Sequence, residues 1–300
     1  MTATTAPSVP RASGASPSGA PGRPRPLGHL GEVRGSMPRA AWAVVCTALA
    51  VLVLYPLGVL VVRALTGPDG GLSFANFASL ASPTAGISLL TGLGNSVFVS
   101  LTVTAVTVVV STLAGYAFAR LPFPGSTVVF FVVLVTFMIP FQAIITPLFL
   151  TLIQVGLHDS LFGLALVLAT FNLPFGIFLM RNSFAAIPAT LEDAALLDGC
   201  TPLQAARRVM LPLAVPGLVS TALLTFFAAW NDFFATLILI NDQAKYTLPV
   251  SLSILSAGQN NAVDWGLMQA GVAVTVVPCV IIYLLLQKYY VAGLINGAIK

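Results

Sequence analysis

The chain is 300 residues long, 57% hydrophobic and only 7% charged, with a mean hydropathy of +0.97. Soluble domains carry about 25% charged residues, so the composition excludes an ordinary soluble domain and indicates an integral membrane protein. The formal net charge is +4, but the basic residues follow membrane topology and form no patch suited to nucleic acid.

Residues 1–36 are rich in Pro, Gly, Ala and Ser with scattered Arg. Such a segment cannot bury a core, and a disordered cytoplasmic tail is expected over 1–38. The first apolar run begins too late and is too long for a signal peptide, so it is expected to stay as an uncleaved anchor. Runs of ~20 uncharged residues are candidate transmembrane helices. They occur at 40–62, 95–119, 126–145, 161–180, 215–240 and 266–287. The third run stays uncharged to Leu157 and contains Pro140 and Pro147, so a kink or a helix end is expected within it. Asp232 alone interrupts the fifth. The alternation of a membrane β-barrel is missing. The expected fold is all-α, with six transmembrane helices.

Between the runs lie four notable segments. Residues 63–94 read as an outer loop with a weakly amphipathic piece at 74–80, and 120–125 as a tight inner turn. Residues 181–214 form the longest internal polar segment, and 241–265 the last outer loop. With the N-terminus inside, Arg120, Arg181, Arg207, Arg208, Lys288 and Lys300 fall on the inner side even without the tail. Only Arg63 and Lys245 fall outside. That asymmetry predicts both termini in the cytoplasm.

Several chemistries find no footing. A P-loop needs a lysine directly after glycine to reach phosphates, and Lys245, Lys288 and Lys300 each follow another residue. No nucleophile-elbow, zinc-protease or paired-acid motif appears. Cys46 and Cys279 fall in spans and Cys200 in an inner loop, with no disulfide framework or metal spacing. His29 and His158 read as isolated surface residues rather than ligands. Ion-coupled carriers need several intramembrane ionisable groups. Asp232 is the one acid well inside a run, and no internal repeat is evident. An ion-coupled secondary transporter acting alone is therefore the weaker alternative. A structural or assembly role would leave transport intact on deletion.

The polar segment from Thr190 to Pro212 is the most informative. It reads as two short helices joined by Gly199. Thr190 is placed to N-cap the first, with Asp193 as its capping-box partner. Glu192 and Asp193 fall in the first turn, where the helix dipole favours negative charge. Gly199 sits as a C-terminal glycine free to take positive φ. Thr201 restarts the pattern, with Pro202 at the first helical position and Gln204 closing a second box. Arg207 and Arg208 are expected in the last turn, with Pro212 helping to end it. Ala194 and Ala195 leave room for another surface to approach.

Glu192-Asp193-Ala194-Ala195, then Asp198-Gly199, then Leu211-Pro212-Leu213 and Pro216 resemble the "EAA" loop of binding-protein-dependent ABC importer permeases. Asn95-Ser96, Gly115-Tyr116-Ala117-Phe118-Ala119-Arg120, Phe123-Pro124-Gly125 and Ile139-Pro140 resemble the carbohydrate branch of that family. So do Ile145-Thr146-Pro147-Leu148, Trp230-Asn231-Asp232-Phe233, Tyr246-Thr247-Leu248-Pro249 and the ending from Gly293 to Lys300. The likeness covers roughly 39–300 and is greatest to the smaller permease of maltose-type importers, which have the MetI-like fold. Asp193 stands where a second glutamate is common, and Cys200 where an alanine is common. Charge and small size are kept.

The resemblance implies a permease domain over 39–300, with its core at about 92–288 and the EAA loop at 190–216. It implies a sugar, di- or oligosaccharide in class, carried across the cytoplasmic membrane. It implies a second permease subunit, two ATP-binding subunits that use ATP and Mg, and an extracytoplasmic solute-binding protein. No catalytic, cofactor or metal site is expected on this chain. Glu192, Asp193, Ala194, Ala195, Asp198, Gly199, Leu211 and Pro212 are the expected ATPase-docking residues, with Glu192 facing a basic groove. Trp230, Asn231 and Asp232 are candidates for the sugar path. Their alternative reading is an interfacial aromatic beside polar helix-end residues. Trp230 and Asp232 are two apart and cannot share a helix face. Asp232 or Asn231 is the better candidate, with Trp230 packing.

Overall fold

A computed structural model describes residues 39–67, 70–82, 88–257 and 264–298. The tail expected over 1–38 lies outside the described residues. Backbone packing divides the chain after Leu52. In the first unit the described residues are the opening half of α1 (Arg39–Ala64), whose side chains from Trp42 to Leu52 are exposed.

The regular elements of the second unit are helices among its described residues, apart from one isolated bridge between Thr66 and Leu72. After α2 (Ala75–Ala78) come α3 (Leu89–Arg120), α4 (Ser126–Thr136), α5 (Phe141–Gln154) and α6 (Leu161–Ala185). The hairpin follows as α7 (Ala189–Leu197), α8 (Pro202–Ala205), a π turn at Ala206–Met210 and α9 (Leu211–Leu213). Then come α10 (Val215–Trp230), α11 (Phe234–Leu239), α12 (Leu248–Ser256) and α13 (Trp265–Ala298). Helices α1, α3, α6 and α13 are each long and apolar enough to cross a membrane. Two further pairs pass together but are bent, α4 with α5 by 96° and the second half of the hairpin with α10 by 70°.

Proline and glycine mark these breaks. Gly125 takes φ 80° to open α4, and Pro140 caps α5 with an extended backbone. A proline fixes its own φ and pushes the residue before it out of the helical region, so Ile139-Pro140 breaks the third run. Pro147, Pro174 and Pro278 instead lie inside helices. Ser88 and Ser160 N-cap α3 and α6 by accepting from Thr91 N and Gly163 N.

The unit is organised around α3, which packs on α6, α10 and α12. In lipid, helices gain little from apolar burial against each other, so close packing of small residues drives association. Gly92, Ser96 and Ser100, then Thr107, Ser111 and Gly115, repeat every four residues down α3, and all are buried. A Cβ on Gly115 would meet Met180 Cβ at 2.6 Å and the Arg181 backbone nitrogen at 2.8 Å. A Cβ on Gly176 would press on Thr107 and Ser111 at 3.1 Å. Gly115→Val is therefore expected to cost about 1–3 kcal/mol, the usual penalty of overpacking. The measurable result is a lower melting temperature and loss of monodisperse protein on heating; an unchanged melting temperature would show that α3 and α6 tolerate separation.

Candidate functional site

The hairpin is rooted by Met180, Phe184, Met210 and Ala214, a buried cluster joined by Tyr116 and Leu211. The Tyr116 ring meets Phe184 edge-on at 5.5 Å. Helix α7 opens at Pro188, not Thr190, with no side-chain cap. Ile187-Pro188 ends the preceding turn, and Pro188, with ψ 132°, starts the helix at Ala189. Thr190 is thereby drawn into the first turn, and the expected Thr190–Asp193 capping box does not form. Glu192 remains in that turn, and Asp193 lies beyond it.

The turn between the two hairpin helices follows the sequence closely. Gly199 has φ 87°. Its N–H donates to Leu196 O at 3.1 Å, and Cys200 N donates to Ala195 O at 3.0 Å. Those two bonds make a Schellman closure that satisfies the last carbonyls of α7. Thr201 then caps α8: Gln204 N donates to Thr201 Oγ1 at 3.3 Å, and Thr201 N donates to Gln204 Oε1 at 2.9 Å. Pro202 holds the first helical position. Beyond Ala205 the register widens to the π turn that carries Arg207 and Arg208. Pro212 has no N–H for the carbonyl of Arg208, and the wider turn before it accommodates that loss. The helix therefore does not stop at Pro212; it continues to Leu213 before the chain bends into α10.

Glu192 is turned toward its own chain. Tyr116 OH donates to Glu192 Oε1 at 2.5 Å, and Arg120 Nε lies 3.6 Å from Oε2. Both charged side chains are largely covered, 11% and 15% exposed. Arg120 also donates to Phe184 O at 2.6 Å and to Ile187 O, across the α6–α7 corner. Within this chain the Glu192 carboxylate joins α7 to the end of α3. The alanine pair is also divided, with Ala195 buried and Ala194 exposed. Asp193, Asp198 and Gly199 are exposed, as is Leu197 at 89%. Pro212 is exposed and Leu211 half-buried.

A second polar assembly lies where the fifth apolar run breaks. Asp232 sits between α10 and α11 rather than inside one helix. It accepts from Ala235 N at 3.4 Å, Thr236 N at 3.1 Å and Thr236 Oγ1 at 3.2 Å. Thr247 Oγ1 donates to Thr236 Oγ1 at 3.2 Å. Leu248 N donates to Ser96 Oγ at 2.8 Å, and Asn95 Nδ2 donates to Ala244 O and Tyr246 O, both at 2.9 Å. Three sequence motifs far apart in the chain therefore meet in one place. Trp230 is buried, stacks on Phe226 at 5.5 Å and donates from Nε1 to Thr275 O at 3.2 Å. Asn231 is exposed, and its Nδ2 returns to Phe227 O at 2.8 Å.

Nearby, Asp159 ties the α5–α6 connection to the loop before α12. It accepts from Asn241 N at 2.9 Å, Asp242 N at 3.1 Å and Lys245 Nζ at 3.0 Å. Asp159 takes φ 51° to reach them. Burial pushes its carboxyl up, but the two backbone donors and Lys245 outweigh that and hold its pKa below the ordinary value. A group depressed in the folded state contributes stability above its unfolded pKa and loses it as pH falls through the folded one. The melting-temperature gap between wild type and Asp159→Asn is expected to be largest at neutral pH. It should close as the medium is acidified past the usual carboxylate range, and a gap independent of pH would refute the clamp. Neither spacing nor charge pattern along the chain singles out Asp159 or Tyr116, because their partners lie 76 or more residues away.

These features define a polytopic helical membrane subunit with a capped hairpin between its spans. Residues 108–296 match the family described as binding-protein-dependent transport system inner membrane component, and the chain belongs to that family. It is 40% identical to the trehalose transport system permease protein SugB of Mycobacterium tuberculosis over 69% of this chain and 75% of that protein. It is 34% identical to the trehalose/maltose transport system permease protein MalG of Thermococcus litoralis over 69% and 74% of the two chains. A crystal structure of a bacterial ABC transporter involved in alginate import aligns with TM-score 0.71 at 25% identity, over 84% of this chain and 95% of that one. Proteins of this family are membrane components of transport systems.

Proposed function

We propose that this chain is one of two permease subunits of a carbohydrate ABC importer. The carrying observation is the family match over 108–296 together with sugar-permease relatives at 34–40% identity. In this reading α4 with α5 is one span and α10 with α11 another, giving six with α1, α3, α6 and α13, and both termini lie in the cytoplasm. A solute-binding protein delivers a di- or oligosaccharide from outside. Two ATP-binding subunits, using ATP and Mg, grip the hairpins of the two permeases from inside.

The docking surface is the exposed side of the hairpin: Asp193, Ala194, Asp198, Gly199 and Pro212. Glu192, Ala195 and Leu211 serve it from behind by fixing the hairpin to the spans. The Schellman turn and the Thr201 box make a short stiff body, and the Glu192–Tyr116–Arg120 contact joins it to α3. Closure of the ATPase dimer then moves α3 with the hairpin. At the other end, Asn231 faces the path, Asp232 braces the break beside it, and Trp230 packs behind.

The test is expression with the neighbouring candidate subunits, copurification, and sugar-stimulated ATP hydrolysis in proteoliposomes. Single cysteines in the 63–94 and 241–265 loops should react with an impermeant thiol reagent in intact cells, while Cys200 should not. External labelling of Cys200 would overturn the orientation, and purification without any ATPase subunit would overturn the assignment.

A further inference from the structure

We propose that the groove between the end of α3 and the second helix of the hairpin is a binding site for an anionic phospholipid. One acyl chain would lie in the groove and the phosphate would be held by Arg207. The groove encloses about 540 Å³, within the ~300–1,000 Å³ range of small-molecule sites. Leu113, Tyr116 and Ala117 of α3 form one wall, and Leu203 and Leu211 form the other. Arg207 is the charged side chain on the lining, and Arg208 follows it on the same π turn. Leu113 and Leu203 at the rim are 68% and 77% exposed.

Apolar walls with a cationic mouth match an aliphatic chain joined to a phosphate. The depth also matches. Helix α3 has 32 residues, about 48 Å at 1.5 Å per residue, well beyond the ~30 Å hydrocarbon layer. Its last turns therefore reach the headgroups. The inference rests on the orientation proposed above, which puts this end in the cytoplasmic leaflet, where anionic lipids attract Lys and Arg. Tyr116 lines the groove and also holds Glu192. A bound chain would brace the joint between hairpin and span, so lipid composition would tune coupling.

The whole transporter would be purified from membranes of equal phosphatidylglycerol and phosphatidylcholine, and its retained lipid measured by native mass spectrometry. The wild type should retain phosphatidylglycerol preferentially. Removing Arg207 and Arg208 together as Arg207→Gln and Arg208→Gln should cut that preference about fivefold per charge. Ala206→Phe, which fills the groove, should lower retention of both lipids. Equal retention by the wild type, or an unchanged preference in the double variant, overturns the site. High-yield cross-linking of Leu203→Cys to another subunit also overturns it, because the groove would then hold protein. If Ala206→Phe fails to assemble, the exposed arginine pair still decides the matter. Labelling of Arg207→Cys from outside intact cells would mean that the orientation has failed; equal retention with Arg207 inside would mean that only the lipid site has.

Discussion

In the reconstituted transporter, Glu192→Ala is expected to lower sugar uptake at least about fivefold and to remove stimulation of ATP hydrolysis by loaded receptor. The substitution strips an acceptor from Tyr116 OH and the counter-charge from Arg120. Leaving a buried donor unsatisfied costs on the order of 1–3 kcal/mol, or roughly fivefold to 150-fold in the population of the anchored hairpin. Arg120 would keep its bonds to the Phe184 and Ile187 carbonyls, so the corner should survive while α7 loosens. Glu192→Gln keeps an acceptor for Tyr116 and should fall between wild type and alanine. Gly199→Val acts differently. Its Cβ would meet open space, but φ 87° is strained for a branched residue. It should weaken the Schellman turn and reduce coupling while leaving sugar binding by the free receptor intact. Normal stimulation in both Glu192→Ala and Gly199→Val would sink the lever.

Much of this was legible along the chain, and the reasons are local. A helix cap or a glycine turn is decided within five residues. Gly199, Thr201, Pro202 and Gln204 could therefore be read correctly from their spacing. Thr190 misled because Pro188 competes for the same helix start, and the proline's fixed φ prevails over an optional side-chain bond. The six apolar runs were also local features, and each corresponds to a helix or a broken helix. What composition could not supply was the severity of the breaks. An uncharged stretch reads alike whether it is straight or bent by 96°. Nor could it supply contacts between distant segments. Tyr116 and Glu192 are 76 residues apart, and Ser96 and Leu248 are 152 apart. Tyr116, Ser96 and Leu248 carry no role in the family resemblance, and Glu192 carries only a docking one. Contacts of α3 with α7 and α12 join these residues in pairs.

Asp232→Ala is expected to lower both uptake and thermal stability, whereas Asn231→Ala should change uptake alone. Asp232 holds the start of α11 through three bonds and, through Thr236, reaches Thr247. Losing an N-terminal cap costs about 0.5–2 kcal/mol, so a lower melting temperature is the first readout. Asp232→Asn keeps one acceptor oxygen and should recover most of that stability. Uptake should recover with it if the carboxylate only braces the break. If charge itself meets the sugar, stability would return in Asp232→Asn while uptake would not. The exposed Asn231 side chain hydrogen-bonds to Phe227 O within its own helix, so its truncation should leave the melting temperature within experimental scatter and raise the apparent KM for uptake. Trp230→Phe should act through stability, because Trp230 is buried and bound to Thr275 O. Wild-type uptake in both Asp232→Ala and Asn231→Ala would take this break out of the sugar path and leave it a joint between two helices.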